Sequence, residues 1–399
     1  MNFNSTNIVC VAFPAWNGNY IKSTVQLMKE LSKTQRVLYV DYAYTWKDFF
    51  NSLMGKGFAD WKRMIGLRPQ LRKENLENGA SLHILTLPPI IPINFLKGQI
   101  LYDFANAINA LPLKWNIKRA IKKLSLESPT VINAFNPTLG INLAHQLGEK
   151  KLIYYCYDEI SAATWASRHG GRLESEFIKK VDAVIVSSNG LLEKKTRINP
   201  NCHLVRNGVD FELFSAHIEQ EKKTELLKKF FPNLKKQEKI IGYLGSVDER
   251  LDYDLIENLI GSTPEYQYVF VGRITQKIFE QRLSKFPNVV LMGSQQPAHL
   301  PTWVSIFDVC LIPFVKNELT AGIYPLKINE YLAAGKPVIA TRFADLSEFE
   351  DIVYIADTDI DFKEHFSKVF LEPNNVTERK AFAAQNSWES RANDFLEIL

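Results

Sequence analysis

At 399 residues, with 46% hydrophobic and 23% charged side chains, the chain has room for two domains, each with its own core, and its ordinary globular composition excludes a low-complexity chain. The formal net charge is only +4, yet residues 1–125 hold 17 Lys and Arg against 7 Asp and Glu, so the first third nets about +10 and the remainder about −6. The basic first third suits an anionic partner, such as a membrane surface or a phosphorylated acceptor, and no run of 18 apolar residues is present to span a bilayer. Cys10, Cys156, Cys202 and Cys310 have no metal-ligand spacing, and at least three fall in apolar runs, which predicts buried, reduced thiols and a reducing cytoplasm.

The first half alternates apolar strands with helical stretches. Residues 8–13 read as a buried strand and not a signal peptide, because no basic segment precedes them. A loop from Pro14 through Asn17, Gly18 and Asn19 leads into a helix ending near Ser32. Further strands are expected at 37–40, 81–87, 130–134, 151–156, 183–187 and 203–205. The alternation predicts an α/β protein with a parallel, doubly wound sheet. The first strand is not followed by G-x-G-x-x-G, which argues against a dinucleotide site there.

Two inserts break the pattern. Residues 46–73 place Trp46, Phe49, Phe50, Phe58 and Trp61 among basic residues, and 87–97 is an apolar run interrupted by Pro88, Pro89 and Pro92. Proline makes the second a poor core strand. Aromatic and basic residues together suit an interfacial membrane contact, and the alternative is that both segments pack on each other as a lid.

A charged stretch at 219–237 reads as helix plus linker. A second α/β series follows, with strands at 240–244, 268–271, 289–291, 309–312, 338–340 and 352–355. Within it, 317–341 (NELTAGIYPLKINEYLAAGKPVIAT) predicts a loop, a helix, a turn and a buried strand. Pro325 falls in the first turn, where its missing N–H is harmless, and Gly335 falls at C′. Thr320, Ala321, Gly322 and Ile323 lead to a helix N-terminus that favours an anion, with Lys327 in the first turn and Glu330 on the same face. A diphosphate at the helix start and a sugar hydroxyl on Glu330 would fit one nucleotide. The plain alternative is an α/β unit with solvated charges.

The run from Asn317 through Thr320, Pro325, Lys327, Glu330–Ala333 and Gly335–Thr341 resembles the donor-binding signature of GT-B glycosyltransferases of the group 1 type, in the branch that includes teichuronic-acid and exopolysaccharide glycosyltransferases. NGVD at 207–210 and the tail from Asn386 to Ala392 resemble the same family. The resemblance implies two Rossmann-like domains facing across a cleft: 1–214 for the acceptor, 215–380 for the nucleotide sugar, and 381–399 as a helix crossing back to the first. It implies a donor site at Gly245, Ser246, Arg250, Arg273, Thr320, Ala321, Gly322, Ile323, Lys327 and Glu330. Two departures stand out: Ser246 replaces an arginine common in relatives, and Gly322 stands where many carry a second glutamate. The strand end Tyr154-Tyr155-Cys156-Tyr157-Asp158-Glu159 resembles the family run Y-D-C-M-D-E, and there Asp158, then Glu159, is the candidate base for an acceptor hydroxyl. Asp158 or Ser161 as a helix N-cap is the structural alternative. His145, which reads as helix surface, and His169 are weaker candidates.

No cofactor beyond the nucleoside-diphosphate sugar is expected. Asp252-Tyr253-Asp254 matches D-x-D, yet it falls in a helix after the first strand of an α/β half, so no metal site is assigned. The expected activity is transfer of a sugar to a glycan or lipid-linked saccharide, in the cytoplasm and peripherally at the inner membrane face, without nucleic acid. The competing classes are a sugar-nucleotide epimerase on the same fold and a non-catalytic membrane scaffold.

Overall fold

The computed structural model describes residues 6–17, 22–77, 79–160, 168–235, 238–371 and 375–399. The loop residues Gly18 and Asn19, and the alternative cap Ser161, lie outside the described residues. The chain divides into two compact units, 1–206 with 391–399, and 207–390.

The first unit holds an eight-stranded sheet: β1 (Asn7–Ala12), β2 (Arg36–Val40), β3 (Leu71–Asn75), β4 (Ser81–Leu85), β5 (Thr130–Ala134), β6 (Lys151–Cys156), β7 (Ala183–Val186) and β8 (Cys202–Leu204). The order is β3-β4-β2-β1-β5-β6-β7-β8, and every pairing is parallel except β3 with β4. Parallel strands covered by helices on both faces need apolar residues throughout, and Ile8–Ala12 and all of β5 are buried. The order reverses between β1 and β5, which both pair along five residues.

Expected strands appear with ends shifted by one or two residues, but β3 is additional. It lies inside and just beyond the first insert, which otherwise forms two short helices, Trp46–Leu53 and Trp61–Met64. Leu71-Arg72-Lys73-Glu74-Asn75 is only partly buried, as an edge strand with a single neighbour permits. The proline-rich run is no strand. Ile90 bridges Thr45, just before the first insert, and its carbonyl accepts from the Trp46 amide at 2.9 Å. The Ile91 amide donates to Asn109 Oδ1, and Asn109 Nδ2 donates to the Ile91 carbonyl, both at 2.9 Å. The two inserts are thus strapped onto the 25-residue helix Gln99–Lys123.

The second unit is a six-stranded, wholly parallel sheet: β9 (Ile240–Leu244), β10 (Gln267–Val271), β11 (Val289–Gly293), β12 (Val309–Ile312), β13 (Val338–Thr341) and β14 (Tyr354–Ala356). Its order, β11-β10-β9-β12-β13-β14, is the Rossmann 3-2-1-4-5-6.

The units part at 206/207, eight residues before the expected 214/215. The Val209 amide donates to the Asn386 carbonyl at 2.9 Å, and the Trp388 amide donates to the Val209 carbonyl at 3.1 Å. A Cβ on Gly208 would lie 2.7 Å from Trp388 backbone. NGVD therefore belongs with 386–388 in the second unit, and so does most of the tail. Only 391–399 joins the first unit, where Phe395 packs edge-on to Tyr155 at 5.0 Å and Lys151 Nζ donates to the Ile398 carbonyl. All four cysteines are free thiols, three of them buried.

Candidate functional site

In an open α/β sheet, ligands bind beyond the C-terminal strand ends where the strand order reverses. In the second unit that point lies between β9 and β12. Pairing of these strands covers Val309 with Ile241 and Cys310 with Gly242, so Leu244 lies beyond it. The Leu244 amide donates to the Tyr331 hydroxyl at 2.7 Å, and Tyr331 is fully buried. This bond fixes the helix Leu326–Ala333 against the end of β9.

The helix ends as its sequence requires. Gly335 has φ +74°, its amide donates to the Leu332 carbonyl, and the Lys336 amide donates to the Tyr331 carbonyl at 2.9 Å, a Schellman pair. Pro325 is the N-cap itself, one position earlier than expected, and no side chain caps the helix start.

Lys327 and Glu330, assigned separately to diphosphate and sugar, meet each other: Lys327 Nζ donates to Glu330 Oε2 at 2.8 Å. The Glu330 side chain is 2% exposed and that of Lys327 is 32% exposed. Burial pushes the Glu330 carboxyl up, and the Lys327 ammonium pulls it back down. One of three ammonium donors is used on Glu330, which leaves the lysine able to reach an anion from the same position.

The preceding loop folds on itself. Residues Glu318–Ala321 form one helical turn, not an open loop. Asn317 and Thr320 make a capping box, and the fully buried Thr320 hydroxyl donates to the Val315 carbonyl at 2.6 Å. Thr320 is therefore a lock for the loop and not a group offered to a ligand. Ala321 is exposed, and Gly322 and Ile323 are half-buried. A Cβ on Gly322 would meet only the Leu319 carbonyl, at 3.9 Å, so there is space for a side chain there.

Gly242, in the middle of β9, accommodates the Phe307 ring, which would lie 2.0 Å from a Cβ; its place is packing, not phosphate approach. Gly245 meets Gly272 backbone to backbone: a Cβ on Gly272 would lie 1.8 Å from the Gly245 carbonyl oxygen. Ser246 is half-buried, and its carbonyl accepts from the Tyr243 hydroxyl at 3.0 Å. Arg250 is gripped by Asp248 through Nε at 2.8 Å and Nη2 at 2.6 Å, and lies over the Phe314 ring. Arg273 is exposed. Asp252 caps the helix Tyr253–Ser262, and Asp254 pairs with Arg282. Among the described residues no group of three His, Cys, Asp or Glu side chains is arranged to hold a metal ion.

In the first unit, Asp158 is exposed just past β6, and its Oδ1 accepts from the Glu159 amide at 2.8 Å. Glu159 is held by Lys194 at 3.2 Å and Lys195 at 3.4 Å. Lys195 is buried and also pairs with buried Glu174 at 2.7 Å, which accepts from the Tyr154 hydroxyl at 2.7 Å. This network, joining β6 to two helices, had no signature in the sequence. His145 is not on a helix: it sits beyond Pro137–Leu143 at φ +56°, with Nε2 2.8 Å from the Lys180 carbonyl. His169 is buried, stacked on Tyr102 at 4.1 Å, with Nε2 2.9 Å from the Leu96 carbonyl. It lines a cavity of about 370 Å³ that also receives Asn94, Asn106, Asn136 and Thr138. Asn136, just beyond the end of β5, was a sequence signal for it.

Two Rossmann-like units, each with its order reversal, define the GT-B fold. Sucrose-phosphate synthase from Thermosynechococcus elongatus shares it at TM-score 0.69 and 16% identity, over 99% of this chain and 98% of that one. Anabaena Alr3699/HepE, solved with UDP and glucose, matches at TM-score 0.65 and 12% identity over 99% of both chains. Residues 238–368, which contain the whole Leu326–Ala333 helix, match the family Glycosyl transferases group 1. A Bacillus subtilis (strain 168) protein described as a teichuronic acid biosynthesis glycosyltransferase, TuaH, is 29% identical over 220 residues, 50% of this chain and 52% of its own. The chain spans about half the length of the curated relatives it matches.

Proposed function

We propose that this protein is a glycosyltransferase that moves a sugar from a nucleoside-diphosphate sugar to a saccharide or lipid-linked saccharide in polysaccharide biosynthesis. The observation that carries it is the helix Leu326–Ala333: pinned by Tyr331 to the strand end at the order reversal, it offers an N-terminus uncapped by any side chain and the Lys327–Glu330 pair. The departing diphosphate gains negative charge as the glycosidic bond breaks, and the helix start and Lys327 stabilise that charge. Glu330 takes a sugar hydroxyl of the donor. Gly245, Ser246 and Arg250 follow the strand at the same reversal and complete the phosphate side; Arg273, Ala321, Gly322 and Ile323 lie at its margin.

Asp158 is the proposed base for the acceptor hydroxyl. Glu159 is tied to two ammonium groups, so it acts as the anchor that fixes Asp158 and not as a second base. No metal is required in this reading: Asp252 and Asp254 are occupied as a helix cap and as an ion-pair partner. The two inserts, 46–73 and 87–97, make a peripheral membrane contact, supported by their exposed Phe50, Phe58 and Phe95 among basic residues. The TuaH match and the UDP and glucose bound to HepE favour transfer over epimerisation or a scaffold role. Measuring thermal midpoints against nucleoside diphosphates and their sugars tests the donor site. No stabilisation by any of them would overturn the reading.

A further inference from the structure

The helix Gln99–Lys123 is apolar on two opposite faces. One face, with Tyr102, Ala110, Leu113, Ile117 and Ala120, is buried in the first unit. The other carries Ile100, Phe104, Ile108, Leu111 and Trp115, all exposed: Ile100 is 88% exposed, Phe104 64% and Trp115 61%. Their spacing of four, four, three and four residues places them in a stripe about 80° wide, turned away from the buried face. A helix in water should have a polar outer face. Here the stripe continues in the same direction as Lys118 and Lys122, both exposed, with Arg119 over the Trp115 ring at 5.4 Å. Across residues 97–123 there are six Lys and Arg and a single acid, Asp103, which Arg172 neutralises at 2.6 Å. A partner must therefore be apolar at one end and anionic along the other.

We propose that this face lies in the plane of an anionic lipid bilayer, with Ile100 to Trp115 in the acyl boundary and Lys118, Arg119 and Lys122 on the head groups. The proposal rests on the peripheral membrane contact assigned above to the inserts, and extends it to the helix onto which they are strapped. Aromatic side chains at the boundary and lysines beside acidic lipid are the physical requirements of an interfacial helix. Asn106 and Asn109, on the buried face, line the amide-rich cavity. That places the cavity about 10 Å, one helix diameter, from the lipid, within reach of a head group and not of its tails.

The test is flotation of the full chain with vesicles of phosphatidylcholine alone or mixed with phosphatidylglycerol. Wild type should float with the anionic vesicles and much less with the neutral ones. F104E/L111E/W115E should lose partitioning by about a hundredfold or more, because three large side chains no longer leave water. These positions are exposed, so the thermal midpoint should be kept, which shows an intact fold. Normal flotation of this variant overturns the proposal. If F50E/F58E abolishes flotation while F104E/L111E/W115E floats normally, the insert contact stands and the helix face falls. If wild type floats with neither vesicle but sediments as a dimer that the triple variant dissociates, the face is a self-association surface and the proposal is wrong.

Discussion

The Tyr331 hydroxyl accepts a hydrogen bond from the Leu244 amide at 2.7 Å, across 87 residues of sequence. Leu244 is the last residue of β9 and lies past its pairing with β12, so Tyr331 supplies a partner in place of a neighbouring strand. Tyr331→Phe keeps the ring and strands a buried amide, at a cost of about 1–3 kcal/mol. The thermal midpoint should fall by about 2–4 °C for each kcal/mol. Nucleoside-diphosphate affinity should fall with it, since the helix start is no longer fixed. A variant that melts and binds like wild type would show that the bond carries neither load.

Lys327 and Glu330 should separate function from stability. Lys327→Ala removes the charge proposed to face the diphosphate and should lower turnover about 10²-fold or more. Glu330→Gln should weaken nucleotide binding by about 1.5–3 kcal/mol. Burial holds the Glu330 carboxyl above its ordinary value of 4.5. A raised acid binds its proton more tightly folded than unfolded. Its contribution is therefore complete below pH 4.5 and is lost as pH rises through the folded value. Glu330→Gln should flatten that decline and leave the variant no less stable than wild type at neutral pH. Midpoints measured from pH 4 to 8, with and without nucleotide, check both halves.

Much of this was legible because the signals were local. Apolar runs gave thirteen of the fourteen strands among the described residues, and Pro325 and Gly335 bounded the Leu326–Ala333 helix to within a residue. The edge strand β3 was not legible, since Leu71-Arg72-Lys73-Glu74-Asn75 has no buried face to give it a period. The side-chain partnerships were also hidden. Tyr331 with Leu244, Asn109 with Ile91, and Glu159 with Lys194 and Lys195 join residues far apart in sequence, and no pattern within one element records them. Lys327 with Glu330 was visible as one helix face, but its burial was not, and burial is what pairs the two charges.

The metal-free reading predicts that transfer survives EDTA, with at most a modest rise on adding magnesium. Asp252→Ala should then cost only the helix cap, about 1 kcal/mol, because its carboxylate accepts from the Leu255 amide. Complete loss of activity on chelation, restored by manganese, would instead make Asp252 and Asp254 ligands that leave their present partners.

Asp158 and Glu159 offer the sharpest contrast. If Asp158 is the base, Asp158→Asn keeps the shape and the acceptor oxygen facing the Glu159 amide but cannot take a proton. Transfer should fall about 10²–10⁴-fold with nucleotide binding and melting unchanged. Glu159→Gln should behave differently. It removes a carboxylate from Lys194 and from buried Lys195, leaving Glu174 as the partner of Lys195 in the described network. That should lower the thermal midpoint, and lower the rate only as far as Asp158 loses its fixed position. The pH profile distinguishes the two roles: a positioning residue leaves the base's titration in the profile, whereas loss of the base removes it. If Asp158→Asn transfers sugar at the normal rate while Glu159→Gln does not, the roles are reversed. If both transfer normally, the reaction uses no carboxylate from this strand end.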